Sequence, residues 1–188
     1  LPRTHALSLQ EHGMAFSKLR ILVPLENPAT EEALVRFAAN LAQTRKGELH
    51  LTHIVTEGDT VPRAEQQLQQ AAGLAAKHGV PATPHLVEYQ SVTQGIQETV
   101  SRWKCNMMVM GWYHEVEKDA ILAARNRALT KAINVDTLIF KNRNSHRVER
   151  ILIPTGGGSN ALMGIQIAYE LAQAWDAPIE ILRVARDP

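Results

Sequence analysis

Apolar residues fall in short runs separated by longer amphipathic stretches, the alternation expected of an α/β chain. Ile21-Leu22-Val23-Pro24 reads as a first strand, followed by Leu34, Phe37, Ala38 and Leu41 at i, i+3, i+4 and i+7, one face of a helix. Asn27 is placed to cap that helix, Pro28 to occupy its first position and Gly47 to end it. A second apolar strand runs through Leu51 and Ile54. Pro62 then opens a helix that reaches Lys77-His78 and stops at Gly79. A third strand is predicted over His85-Leu86-Val87-Glu88-Tyr89, and Ile96, Val100 and Trp103 mark a third helix. Met107-Met108-Val109-Met110 reads as a buried strand ending at Gly111; a fourth helix spans Ile121 to Ile133, and Thr137 to Phe140 is a fifth strand.

The chain also repeats itself. Arg20-Ile21-Leu22-Val23-Pro24 lies over Arg150-Ile151-Leu152-Ile153-Pro154, and the register continues without a gap. Ala38 falls over Ala168, Leu41-Ala42-Gln43 over Leu171-Ala172-Gln173, Leu51 over Ile181 and Ile54 over Val184. Each copy opens as a β-α-β unit, which implies parallel strands and right-handed crossovers. The fold class is therefore α/β: a doubly wound five-stranded parallel sheet, strand order 3-2-1-4-5 with strand 1 central, plus a partial second repeat. The division expected is a linker or arm over 1–18, a complete domain over 19–142, a polar linker over 143–148 and a partial β-α-β repeat over 149–188. The start at Leu1 and the unfinished second copy suggest a chain cut from a longer one.

Composition narrows the function classes. Of 188 residues 20 are Lys or Arg and 19 Asp or Glu, so the chain lacks the broad positive field of a nucleic-acid binder. No apolar run approaches the ~20 residues that span a bilayer, and the opening residues do not form a signal peptide. Cys105 is the one cysteine, which excludes an intramolecular disulfide and suits a cytosolic setting.

In an open parallel sheet, ligands sit beyond the carboxyl ends of the strands where the order reverses. With strand 1 central, that crevice lies between the loops Pro24-Leu25-Glu26-Asn27 and Gly111-Trp112-Tyr113-His114.

The ILVP strand, the spacing of the five strands and the Met107–Gly111 strand with its glycine resemble the universal stress proteins. These are Rossmann-like adenine-nucleotide-binding domains, often found in tandem. The resemblance covers one full domain and the opening of a second. ATP-binding members carry an acidic residue two positions after the proline, where Glu26 stands. They also carry G-x-x-G after strand 4, then a spacer and G-S or G-T, whose glycines admit phosphate to backbone N–H groups. Here Gly111 keeps the first position, His114 replaces the second glycine, and the G-S/T falls on Ala123-Ala124 or Ala124-Arg125. The reading favoured is a retained fold with an eroded phosphate cradle, His114, Arg125 and Arg127 being the residues left to supply charge. By this resemblance the candidate nucleotide-binding residues are Pro24, Leu25, Glu26, Gly111, His114 and Arg125, with ATP or AMP as candidate ligand.

The second copy carries Thr155-Gly156-Gly157-Gly158-Ser159-Asn160 after its first strand, a candidate anion-binding loop at a helix N-terminus. The same residues equally describe a strand-to-helix turn capped by Ser159 or Asn160. No Gly-Lys-Ser/Thr follows, so it is not a Walker A loop, and it matches a dinucleotide fingerprint only loosely. Gly157-Gly158-Ser159-Asn160-Ala161 approximates a nucleophile elbow, yet no histidine follows Ser159, so a serine hydrolase is disfavoured. No catalytic residue is assigned and no enzymatic activity is expected. His50 and His53 point to opposite faces of one strand and the other histidines are scattered, so metal binding is not expected and surface or edge histidines are. Trp112 could stack on a ligand base or cover the strand end, while Trp103 and Trp175 read as helix-to-sheet packing.

The ILVPLENPA opening, the MGW after strand 4 and the ILIPTGGGSNA restart resemble tandem domains appended to the cytosolic C-termini of prokaryotic transporters. Amino-acid permeases are the nearest likeness, then sodium/proton antiporters and chloride-transport proteins. The expectation is a non-catalytic regulatory or sensor domain at the cytosolic face of the membrane, partnered by its own transporter's membrane domain and tethered through Leu1 to Lys18. The alternative is a soluble tandem universal stress protein that binds ATP or AMP. Strand 5 is a short apolar edge strand, so a homodimer is also expected.

Overall fold

The computed structural model describes residues 18–58, 60–112, 129–142, 148–156 and 159–183. Its elements run β1 (Arg20–Pro24), α1 (Pro28–Thr44), β2 (Glu48–Val55), α2 (Val61–Lys77), β3 (Ala82–Glu88), α3 (Val92–Trp103), β4 (Met107–Gly111), β5 (Asp136–Phe140), β6 (Ile151–Thr155), α4 (Ser159–Trp175) and β7 (Ile179–Arg183). Five strands form one parallel sheet in the order β3-β2-β1-β4-β5, the order read from the sequence. Strands β6 and β7 form a separate parallel pair, with Ile151 opposite Ile179 and Ile153 opposite Ile181.

Strand β1 is central because its residues are apolar on both faces: Ile21, Leu22 and Val23 are wholly buried. Side chains alternate across the sheet and feed two cores. Ile21, Val23, Leu49, Leu51, Met107 and Val109 pack under α1 and α2. Leu22, Ile54, Met108 and Met110 pack with Ile96 of α3 and with Leu129 and Ile133 on the other face. Residues 129–132 are helical, the described end of the fourth helix expected from the sequence; the rest of it lies outside the described residues.

Strand β3 begins at Ala82, three residues before the stretch predicted, and it contains Pro84. The proline fits because β3 lies at the sheet edge, where one side of the strand makes no ladder. Gly47 follows α1 as expected, but the left-handed turn that ends the helix is made by Lys46 at φ 49°. Gly47 is required for a different reason: a Cβ there would come within 2.6 Å of the Leu19 carbonyl oxygen. The repeat preserves this turn. Asp176 adopts φ 50° after α4, and the bond from Gly47 N–H to the Ala42 carbonyl (2.7 Å) recurs from Ala177 N–H to Ala172 (3.1 Å).

The second copy packs on the first through its helix. Ile167 and Leu171 of α4 join the core formed by α1, with Met163, Trp175 and Ile151 around them. Phe37 of α1 stacks on Phe140 of β5 at 4.6 Å and meets Trp175 at 6.1 Å. Helix α4 therefore covers the flank of α1, whose Phe37 bridges Trp175 and Phe140. Of the isoleucines of β6 and β7, Ile153 is buried, Ile151 and Ile179 are half-buried, and Ile181 is exposed.

Candidate functional site

Ladder register brings two of the predicted loops together. Ile21 pairs with Met107 and Leu22 with Met108, so Pro24 and Gly111 end adjacent strands at the same side of the sheet. Leu25 is buried and its N–H donates to the Thr52 carbonyl (2.8 Å), which pins the start of the β1 loop to β2. Glu26 is exposed at the loop's outer turn. Asn27 caps α1 with its backbone: its carbonyl accepts from the Thr30 N–H (3.1 Å) and hydroxyl (3.3 Å). Opposite, among the described residues a Cβ on Gly111 would touch only Leu34, at 3.9 Å, so on that side the backbone is open to a ligand's approach. His114 and Arg125 lie outside the described residues.

The backbone N–H of Trp112 donates to the Phe140 carbonyl (2.8 Å), and the Lys141 ammonium sits 5.2 Å from its ring centroid. The indole therefore caps the β4–β5 end, with one face held by a cation.

Two polar groups near the crevice carried no signal in the hydrophobic pattern. Glu31, in the first turn of α1, accepts a hydrogen bond from Gln67 of α2. Partial burial pushes its carboxyl up to about 7. Thr52 pairs in register with Pro24, and its buried hydroxyl has no hydrogen-bond partner among the described residues. Both positions could have been suspected only from their place beside the strand ends.

The loop of the second copy stands on the other sheet. Thr155 closes β6, Gly156 and Asn160 are exposed, and Ser159 opens α4; Gly157 and Gly158 lie outside the described residues. A Cβ on Gly156 would meet nothing within 4 Å.

The histidines require a correction. His50 and His85 are not surface residues: they are 6% and 8% exposed, although His85 stands on the edge strand β3. His50 Nδ1 lies 2.9 Å from His85 Nε2, and the indole of Trp103 stacks on both rings, at 5.9 and 4.4 Å. Trp103 thus packs the end of α3 on the sheet, and the sheet residues it meets are histidines. Strand and helix spacing could not foresee this, because the three residues come from β2, β3 and α3. Among the described residues no group of three or more His, Cys, Asp or Glu is placed to hold a metal. Cys105 is buried, and desolvation raises its thiol to about 12, so it is not a ready nucleophile.

A doubly wound sheet with an open glycine at the strand-order reversal defines a Rossmann-like α/β domain, with its crevice at the β1 and β4 ends. The universal stress protein family model matches residues 19–141, and the chain belongs to that family. Among solved structures it resembles the universal stress protein from Archaeoglobus fulgidus in complex with dAMP. Identity there is 20%, with 64% of this chain and 96% of that chain covered and a TM-score of 0.53. A universal stress protein in complex with cAMP matches at 14% identity, 67% and 98% coverage and a TM-score of 0.55. The cytoplasmic domain of a prokaryotic cation chloride cotransporter matches at 15% identity, 91% and 68% coverage and a TM-score of 0.66. At these identities the likeness is one of fold. Among curated proteins none matches the chain in sequence. No helix among the described residues is long and apolar enough to cross a membrane.

Proposed function

We propose that this chain is a non-catalytic regulatory module that binds an adenine nucleotide and acts as the cytosolic domain of a membrane transporter. The transporter assignment is supported by the likeness to the cotransporter's cytoplasmic domain, which extends over 91% of the chain and so takes in both repeats. The nucleotide assignment rests on the open Gly111 beside Pro24, Leu25 and Glu26, and on the dAMP and cAMP complexes of two relatives. A nucleotide would regulate an attached transporter by binding one conformation of the module more tightly than another. A homodimer through the β5 edge, where Ile139 is exposed, would couple two such modules. The alternative reading, a soluble tandem universal stress protein binding ATP or AMP, is favoured by the likeness to a universal-stress-type protein from Pseudomonas aeruginosa, which extends over 90% of the chain at a TM-score of 0.70.

Titration calorimetry with ATP, AMP and cAMP tests the ligand. Binding of at least one is expected, weakened severalfold by Gly111→Ala, which leaves melting unchanged because its methyl group meets only an ordinary contact. No heat with any nucleotide at millimolar concentration would overturn the nucleotide assignment. The coding sequence around the chain separates the two readings: several hydrophobic spans support a transporter, and none supports the soluble protein.

A further inference from the structure

On the sheet face that carries α3, two buried imidazoles share one contact. His50 on β2 and His85 on β3 approach to 2.9 Å, their rings nearly parallel at 8°, under the indole of Trp103 at the end of α3. Charge favours one pair of tautomers. His50 Nε2 is buried with no hydrogen-bond partner among the described residues, but Glu48 Oε1 lies 3.5 Å away, so the carboxylate favours the proton on that nitrogen. His50 Nδ1 is then the acceptor, and the N–H that bridges the rings belongs to His85 Nε2. One proton between the two facing nitrogens makes a hydrogen bond between neutral rings. A proton added to His50 Nδ1 makes that ring a cation and sets two donors face to face, and a further proton on His85 Nδ1 makes the second ring a cation as well.

The surroundings oppose that second charge. The charged and titratable groups around the pair are Glu48 on β2, Lys18 and Arg20 at the start of β1, and Arg102 on α3, with the neutral thiol of Cys105 nearby. Three cations thus stand against one carboxylate, and Glu48 is already engaged by Lys18 and by Arg20 at 3.1 Å. Arg102 also lies over Trp103, 5.8 Å from the ring centroid, on the helix end that covers the pair.

We propose that His50 and His85 form an acid-sensitive latch that ties β3 and the end of α3 to β2, closed while one proton bridges the rings and released when both rings are protonated. Solvent supplies two protons, one to His50 Nδ1 and one to His85 Nδ1; what is lost is the one N–H···N bond and the stacking of a neutral pair under Trp103. Desolvation holds both imidazoles below the ordinary range, His85 down to about 4 with His50 and Arg102 adding to the effect. The sign follows. The unfolded or opened chain takes up protons near the ordinary histidine value while the closed latch does not, so acid favours opening progressively from near pH 6.5 down to about 4.

The test is an NMR titration of the histidine ring resonances with amide hydrogen exchange on the intact chain between pH 7 and 4. His50 and His85 are expected to titrate below the ordinary imidazole range. Exchange at the amides of Leu86 to Glu88 and Arg102 to Cys105, corrected for intrinsic rates, is expected to accelerate about tenfold or more relative to amides of β1 and β4. In the double variant His50→Leu, His85→Phe, which has no proton to accept, that selective acceleration should disappear. Ordinary titration of both rings in the native chain, or selective acceleration retained in the double variant, would overturn the latch. If the double variant does not fold, the ring titration of the native chain decides by itself. Nucleotide binding enters none of these measurements, so the outcome is independent of the ligand assignment.

Discussion

Arg45, just past the end of α1, donates from Nε (2.8 Å) and from Nη2 to the same carboxylate oxygen of Glu170 in α4. Both side chains are largely shielded, and Glu170 also accepts from Gln166 at 3.3 Å. This is the charged contact that fastens the second repeat onto the first, beside the apolar seam of Phe37, Ile167, Leu171 and Trp175. Removing either partner leaves the other charge partly buried, so Arg45→Ala and Glu170→Ala should each cost about 1–3 kcal/mol. A double-mutant cycle by chemical denaturation should return a coupling of about 0.5–3 kcal/mol. Additive losses would mean that the pair contributes nothing beyond its separate side chains.

The repeated left-handed turn makes a second prediction. Lys46 and Asp176 both hold positive φ, a conformation that disfavours a side chain with Cβ. Lys46→Gly should stabilise the fold by about 0.5–1 kcal/mol, and Asp176→Gly by less, because aspartate tolerates this region better than lysine. Thermal melts of the two variants give the order directly.

Gly95 lies inside α3, where alanine would ordinarily add up to about 1 kcal/mol of helix stability. Here a Cβ would come within 2.8 Å of both Cδ1 and Cγ2 of Ile54. Gly95→Ala should therefore destabilise by about 1–3 kcal/mol. In an Ile54→Ala background the obstruction is gone and the same change should become stabilising, a reversal of sign that denaturation curves would reveal.

Glu31 predicts a pH dependence opposite in sign to that of the histidines. Its carboxyl is raised to about 7 in the folded chain, so the folded state holds a proton that the unfolded state releases above about 4.5. Stability is therefore lost as pH rises from about 4.5 through 7, and the loss is complete above that. Glu31→Gln should remove this slope. The gain at pH 8 should be on the order of 1 kcal/mol, since the half-buried group is partly screened by solvent. Denaturation of both proteins at pH 5 and pH 8 measures the difference.

Much of this architecture is legible in one dimension. Strand runs such as Ile21 to Pro24 and the helix face of Leu34, Ala38 and Leu41 are set by local periodicity, and the crevice at the β1 and β4 ends follows from a parallel sheet whose order reverses. The pairing of His50 with His85 and Trp103 is not legible, because no spacing links residues brought together by strand register and one helix end. Helix α4 on α1 is likewise a tertiary fact: the half-repeat could have packed on this domain, on a neighbouring chain or by exchange, and hydrophobic pattern alone favours none of them.

The repeat itself shows where sequence stops. Leu22 and Leu152 stand at equivalent positions of nearly identical strands, yet Leu22 is wholly buried and Leu152 is 55% exposed. Leu51 and Ile181 differ in the same way, one fully enclosed and the other 57% exposed. Sequence determined that these residues form strands and which faces they present, because alternation along a strand is a property of the backbone. What covers those faces depends on neighbours contributed by distant segments. The first copy receives α2, α3 and β4 around its strands, whereas β6 is paired with β7 alone. Only the tertiary structure decided that difference, because burial is a property of what is packed against a side chain and not of the side chain.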